Sequence, residues 1–238
     1  MTNMTAADIL AELKTLGSEQ QKKTFLRHGA REPFYGVKIE DLKKIQKRIK
    51  VNYQLALDLY DTGNSDAMYL AGLIADDAKM TKKDLRKWAD GAYWYMIAGF
   101  TVPWVAAGSP HGWDLALEWI DSKKPTIAAA GWSTLSGIVA SKEDSELDIP
   151  KIKKLLERVQ KTIHDHPDRL GYAMNAFVIA VGGAVKELSA FAIGVAKKIG
   201  TFECDMGDTS CKTPSAVEYI KKIKDKGKLG VKRKMLKC

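Results

Sequence analysis

Cysteine is scarce in this chain: 238 residues include three, Cys204, Cys211 and Cys238. An odd and low count argues against a disulfide framework and fits a reduced, cytoplasmic protein. Strand signals are scarce too. β-Branched residues almost never alternate with period two, which argues against sandwiches, barrels and βαβ units. No window reaches roughly 18 uninterrupted apolar residues, so no membrane span is expected. The opening residues, Met1-Thr2-Asn3-Met4-Thr5, are polar and uncharged and do not read as a secretion signal. The signatures of common chemistries are also missing. The residues around Ser136 do not form an esterase elbow. Residues 227–232 are rich in glycine and lysine, but no strand precedes them and no Gly-Lys-Ser/Thr ends them, as a phosphate loop requires. Cys204 and Cys211 flank Asp205 and Asp208 without Cys-x-x-Cys spacing or four nitrogen and sulfur ligands. No metal or cofactor is therefore expected, and His164 and His166, beside Pro167, are read as exposed turn residues.

What is present is charge of one sign at one end. The net charge is +9, and residues 212–238 hold ten basic side chains against Glu218 and Asp225. A near-neutral body with a basic C-terminal arm points to a polyanionic partner, most simply nucleic acid. Pro214 is expected to open a short helix whose Val217, Tyr219, Ile220 and Ile223 dock on the body. Lys228, Lys232, Arg233, Lys234 and Lys237 are then expected to reach phosphates rather than pack. The bland alternative is a capping helix followed by a solvated tail.

Apolar residues recur at i, i+3, i+4 spacing almost throughout, which predicts helices. Thr5 and Asp8 form a capping-box start, Ser18 can cap a second helix, and Thr81 with Asp84 opens another. Ser65 is read as a further cap. Asp148, followed by Ile149 and Pro150, starts a helix, and so does Pro125. Gly182-Gly183 separates the last two long patterns. About a dozen helices result, and adjacent pairs take roughly 35–40 residues, the length of a HEAT or armadillo unit. The expected fold is all-α, a HEAT/armadillo-like helical-repeat solenoid over residues 1–211, with a basic C-terminal helix and tail over 212–238. A globular helical bundle competes with it, because no repeated motif marks the period. At the centre lies the uncharged, ring-rich stretch 93–104. It is apolar on every side, the pattern of a buried helix, and Pro103 is expected to end or kink it. Basic residues flank this stretch: Lys82, Lys83, Arg86 and Lys87 before it, Lys123 and Lys124 after it.

Phe34-Tyr35-Gly36-Val37, the basic helix at 39–49, the tryptophan-bearing centre and the paired helices before a basic C-terminus together resemble the bacterial DNA alkylation repair proteins of the AlkD type. The resemblance covers about residues 20–235 and rests on the order of elements. It implies a HEAT-like solenoid that wraps DNA on a concave face. It also implies a possible activity, since the family's glycosylases excise alkylated purines. Such a purine is already cationic and leaves without a general acid, so the site needs a fixed carboxylate and aromatic faces beside the sugar. The family's pair is Trp-x-x-x-Asp, which shares one helical face. Here Trp94 takes the tryptophan position and Ala98 the aspartate position. None of the six tryptophans has an acid four residues later. The family's arginine and later tryptophan fall near Ala129 and Ala176.

Three readings follow. The first is a non-catalytic protein that binds double-stranded or branched DNA by shape and backbone, as a monomer. The second is a glycosylase with a rearranged site built from Asp90, Trp94 and Trp132, Asp90 standing four residues before Trp94. The third is a helical scaffold for protein partners. The first reading places Trp94 on or near the concave face.

Overall fold

The computed structural model of the chain describes residues 4–237, so Cys238 and the first three residues lie outside the description. Among the described residues every regular element is helical. The helices are α1 (Ala6–Leu16), α2 (Glu19–Arg27), α3 (Ile39–Ile49), α4 (Tyr53–Asp61), α5 (Ser65–Ile74), α6 (Lys82–Gly91), α7 (Val102–Gly108) and α8 (Gly112–Trp119). They continue with α9 (Pro125–Ser141), α10 (Ile149–Thr162), α11 (Arg169–Ala184), α12 (Ser189–Ile199) and α13 (Ala216–Asp225). No single helix among them is long and apolar enough to cross a membrane.

The chain ends of these helices follow from local chemistry. Thr5 with Asp8, and Thr81 with Asp84, make reciprocal capping boxes on α1 and α6. Asp148 accepts from the Lys151 amide at the start of α10. The cap of α5 is Asn64, which accepts from the amides of Asp66 and Ala67, and not Ser65 as expected. Ser65 lies one residue inside the helix.

Two layers form. Helices α5, α7, α9, α11 and α13 stack on one another as an inner layer, and α4, α6, α8, α10 and α12 pack behind them. The sequence dictates which helix goes where. The outer helices are amphipathic: α10 buries Ile152, Leu155, Leu156 and Val159 and exposes Lys151, Lys153, Lys154 and Glu157. The inner helices must touch neighbours on several sides, and they are apolar almost all round: every residue of α5 is buried. The core accordingly runs along the stack as two adjoining clusters, one reaching from Ile9 to Ala130 and one from Ala116 to Ile220. This nearest-neighbour packing is that of a HEAT/armadillo-like solenoid.

The repeat period shows in polar contacts between outer helices. Arg48 pairs with Glu12 at 2.5 Å, Lys82 with Asp114 at 2.9 Å, Arg86 with Glu118 at 2.6 Å and Arg158 with Asp121 at 2.6 Å. Each pair joins residues 32 to 37 positions apart. A ladder of ion pairs thus marks a repeat of 32 to 37 residues, slightly shorter than the expected 35–40.

Candidate nucleic-acid interface

The central stretch does not form the single buried helix expected of it. Helix α6 stops at Gly91, Ala92 leaves helical geometry (φ −76°, ψ 83°), and the chain becomes helical again at Tyr95. Pro103 does not end that helix; it sits in the first turn of α7. A wide π turn, Ile97–Thr101, precedes it. Proline has no N–H to bond the carbonyl four residues back and its ring crowds that carbonyl, and a widened turn relieves both problems. Ile97, Ala98 and Thr101 point into the core, which leaves Gly99 and Phe100 outside.

The break at Ala92 decides the fate of the candidate catalytic residues. Trp94 is 4% exposed. Its ring packs on Phe25 at 5.1 Å and its Nε1–H donates to the His28 carbonyl at 2.9 Å, so it belongs to the junction with α2 and lines no cleft. Asp90 is exposed on the outer layer and pairs with Lys124. Because the helix is interrupted between them, Asp90 and Trp94 do not form the reversed pair. Trp132 is 1% exposed, packed against Phe177 at 5.2 Å with the Arg158 guanidinium 5.7 Å from its ring. Ala98 and Ala129 are buried, and Ala176 is half-buried. The three candidates are not brought together.

Most of the flanking cations are also engaged. Besides the pairs of Lys82 and Arg86, Lys87 binds Asp61 at 2.6 Å, and Lys124 holds Asp90. Arg86 grips Glu118 with two nitrogens and pulls the Glu118 carboxyl below its ordinary range. Lys82, Arg86, Lys87 and Lys124 therefore bind neighbouring outer helices and are not a free basic face. Lys83 and Lys123 are exposed and join no ion pair among the described residues.

The C-terminal tail departs further from expectation. Residues 228–237 pack back along the ends of the inner helices. The Gly230 amide donates to Gly183 O at 2.9 Å and the Arg233 amide to Ala140 O at 2.7 Å. Lys232 Nζ donates to Val139 O at 3.0 Å and pairs with Asp144 at 2.7 Å. Lys237 Nζ donates to Ala75 O at 2.8 Å and pairs with Asp77 at 2.6 Å. These carbonyls lie at the C-termini of α11, α9 and α5, where helices leave acceptors unpaired and the dipole favours a cation. Lys232 and Lys237 are thus caps, not phosphate contacts, because the ends they meet are electronegative and half-enclosed. Lys228, Arg233 and Lys234 remain exposed and join no ion pair among the described residues.

The middle of the inner layer is nearly free of charge. The segment Ile97–Gly108, α9 and α11 contain no acid, and their only charged side chain is Arg169. Its guanidinium lies 4.1 Å from the Tyr95 ring and donates to Met206 O at 2.7 Å. Met206 belongs to the loop 200–215, which Arg169 thereby links to Tyr95. That loop is tied to α11 by Asn175, which donates to Pro214 O at 2.8 Å. It is also tied to the turn before α11, by the Asp205 amide donating to Pro167 O at 2.9 Å. At its tip Gly207 (φ +81°) lies so close to α2 that a Cβ there would sit 2.9 Å from Arg27 O. Cys204 is half-buried with its Sγ 3.1 Å from Thr213 Oγ1, and burial pushes its thiol above the ordinary range. Cys211 is exposed, and among the described residues no three His, Cys, Asp or Glu are grouped to hold a metal.

Around Tyr95 the rings form a chain. Tyr95 meets Phe100 at 6.3 Å, Phe100 meets Trp104 at 6.0 Å, and Trp104 meets Tyr69 at 5.5 Å. At the far end of the stack, α13 exposes Lys221, Lys222, Lys224 and Lys226 beside Tyr219, none of them in an ion pair among the described residues. Sequence reasoning singled out neither Arg169 nor this lysine face. Both had a signal: Arg169 is the lone charge of its helix, and Lys222 and Lys226 stand one helical turn apart.

A sequence model of the DNA alkylation repair enzyme family matches residues 9–199 of this fold. The chain belongs to that family. Two Listeria relatives carry no assigned activity. The uncharacterized protein Lin0241 of Listeria innocua is 32% identical over 90% of this chain and 95% of its own. The uncharacterized protein Lmo0209 of Listeria monocytogenes is 31% identical over 91% of this chain and 96% of its own. A solved structure superposes with a TM-score of 0.90 at 38% identity, covering 99% of this chain and 100% of that one. It represents a new family of proteins related to the HEAT-like repeat DNA glycosylases with affinity for branched DNA structures. Trp94 and Ala98, the positions read in the sequence for the family's Trp-x-x-x-Asp pair, are both buried.

Proposed function

We propose that this chain binds branched DNA by shape and backbone and does not excise alkylated bases. The observation that carries the reading is the lack of any carboxylate along Ile97–Gly108, α9 and α11, the central inner segments, where the family's glycosylases need one beside the sugar. Without it, an oxocarbenium-like sugar has no fixed negative partner. The affinity of the similar solved protein for branched structures supports the choice of DNA. Phosphates would meet cations that have no acidic partner among the described residues, among them Lys221, Lys222, Lys224, Lys226, Lys228, Arg233 and Lys234 at the C-terminal end, and Lys83 and Lys123 on the outer layer. Such contacts position DNA without reading its sequence.

The test places a four-way junction, a three-way junction and a linear duplex of the same sequence in one binding assay at two salt concentrations. It is run beside an assay for free 7-methylguanine and 3-methyladenine. The junctions should bind more tightly, every affinity should fall with salt, and neither base should be released faster than it depurinates spontaneously. Enzymatic release of either base, or equal affinity for junction and duplex, would defeat the proposal.

A further inference from the structure

The wide turn before α7 exposes a flat apolar ring that its protein surroundings do not use. Phe100 is 38% exposed. Its neighbours Tyr95 and Trp104 meet it tilted, at 71° and 57°, and neither stacks on it in parallel. Beside it, Gly99 opens onto empty space: a Cβ built there finds no atom within 4 Å. No backbone conformation demands this glycine, for it lacks the positive φ of the seven glycines that have one. The absent side chain leaves room beside Phe100. Arg169 also stands against Tyr95, 4.1 Å from its ring; it is the single charge of Ile97–Gly108, α9 and α11 and finds no carboxylate partner among the described residues.

We propose that Phe100, flanked by Gly99, Tyr95 and Trp104, is a stacking platform for an unpaired DNA base, with Arg169 holding the phosphate beside it. The chemistry selects this occupant. A paired base inside a duplex has both faces covered by its neighbours and offers only its edges, so it cannot lie on a ring. An unpaired base at a branch point offers a face, and base–aromatic stacking tolerates any base. The guanidinium has donors left after its bonds to Met206, and an unneutralised cation in apolar surroundings favours a phosphate. The inference rests on the branched-DNA reading and deepens it by naming what part of the branch is held.

A three-way junction with one unpaired 2-aminopurine at the branch, and a single-stranded oligonucleotide carrying the same base, test it. Stacking should quench the fluorescence of both when the unaltered chain binds. Phe100→Ala should abolish the quenching and weaken binding of the unpaired junction about tenfold, the effect of one lost stack. A fully paired four-way junction should bind as before. Gly99→Leu should have the same effect while leaving the melting temperature in place, because its Cβ enters open space and its side chain extends over the platform. Junction binding without quenching, or binding and quenching unchanged in both variants, would overturn the platform. Quenching of the single strand with no preference for junctions would remove the branched-DNA reading and leave the platform standing. Binding of neither DNA would overturn both.

Discussion

Asp66 shows how one side chain can set a chain path. It is 3% exposed at the start of α5, and its carboxylate accepts from the amides of Tyr35, Gly36 and Val37 at 2.6, 3.0 and 3.1 Å. Burial pushes its carboxyl upward, against the pull of those three amides. The peptide it holds, Phe34-Tyr35-Gly36-Val37, is the first of the elements whose order resembles the family in the sequence, and its role here is architectural: Phe34 and Val37 are both 1% exposed. Asp66→Ala would leave three amides without an acceptor, two of them in buried residues. A loss of roughly 3 kcal/mol is expected, read from the urea midpoint. A shift too small to measure would mean that water or a repacked loop replaces the carboxylate. The residue-scale features that sequence alone conveyed were local ones, such as a cap and its partner three residues on. The enclosure of Trp94 was not legible, because its partners Phe25 and His28 lie more than sixty residues away. The same ring pattern would serve a cleft wall or a core.

Among the elements, α6 illustrates how a cap can also join repeats. Asp84 accepts from the amide and hydroxyl of Thr81 at 3.0 and 2.6 Å, and from the Tyr53 hydroxyl of α4 at 2.8 Å. Burial acts to raise the Asp84 carboxyl, but these hydrogen bonds outweigh it and the net shift is downward. A carboxyl lowered in the fold adds stability above its unfolded pKa and loses it as pH falls through the folded value. Asp84→Asn should therefore cost about 1 kcal/mol at neutral pH. It should also flatten the acid side of the stability profile between about pH 5 and pH 2. An acid limb identical to that of the unaltered chain would show that Asp84 contributes nothing through its charge. The helix starts at Thr5, Thr81 and Asp148 were readable because capping is written within four residues. The break at Ala92 had a signal in the turn-favouring Asp90-Gly91 just before it, but the apolar, ring-rich run that follows reads as a helix continuing. The ladder between outer helices was partly readable: the charges and the period were visible, but not which cation meets which acid.

Across the whole molecule, the tail changes the meaning of the basic C-terminus. Composition placed ten cations there and could not say where the chain goes next. In the fold, residues 230–237 run from the end of α11 past the end of α9 to the end of α5, with Leu236 lying over Gly137. This strap touches elements far apart in a stack whose other contacts join near neighbours, so it couples the two core clusters. Its side chains divide by direction. Lys232 and Lys237 point inward, with side chains only 10% and 14% exposed, onto helix ends and Asp144 and Asp77. Arg233 and Lys234 are exposed. The two pairs should therefore separate in experiment. Lys232→Ala with Lys237→Ala removes two partly enclosed ion pairs and two carbonyl donors. It should cost roughly 3 kcal/mol of stability and leave the salt dependence of DNA binding unchanged. Arg233→Ala with Lys234→Ala should leave the urea midpoint in place. If both meet phosphates, it should reduce the slope of log affinity against log salt by about 1.8. Truncation after Leu229 would combine the two effects, so a loss of DNA affinity in such a protein cannot by itself be assigned to phosphate contacts. An unaltered midpoint in the inward pair would show that the strap is not a structural tie. An unaltered slope in the outward pair would confine the DNA-facing charge to α13, where Lys222 and Lys226 become the next substitutions to make.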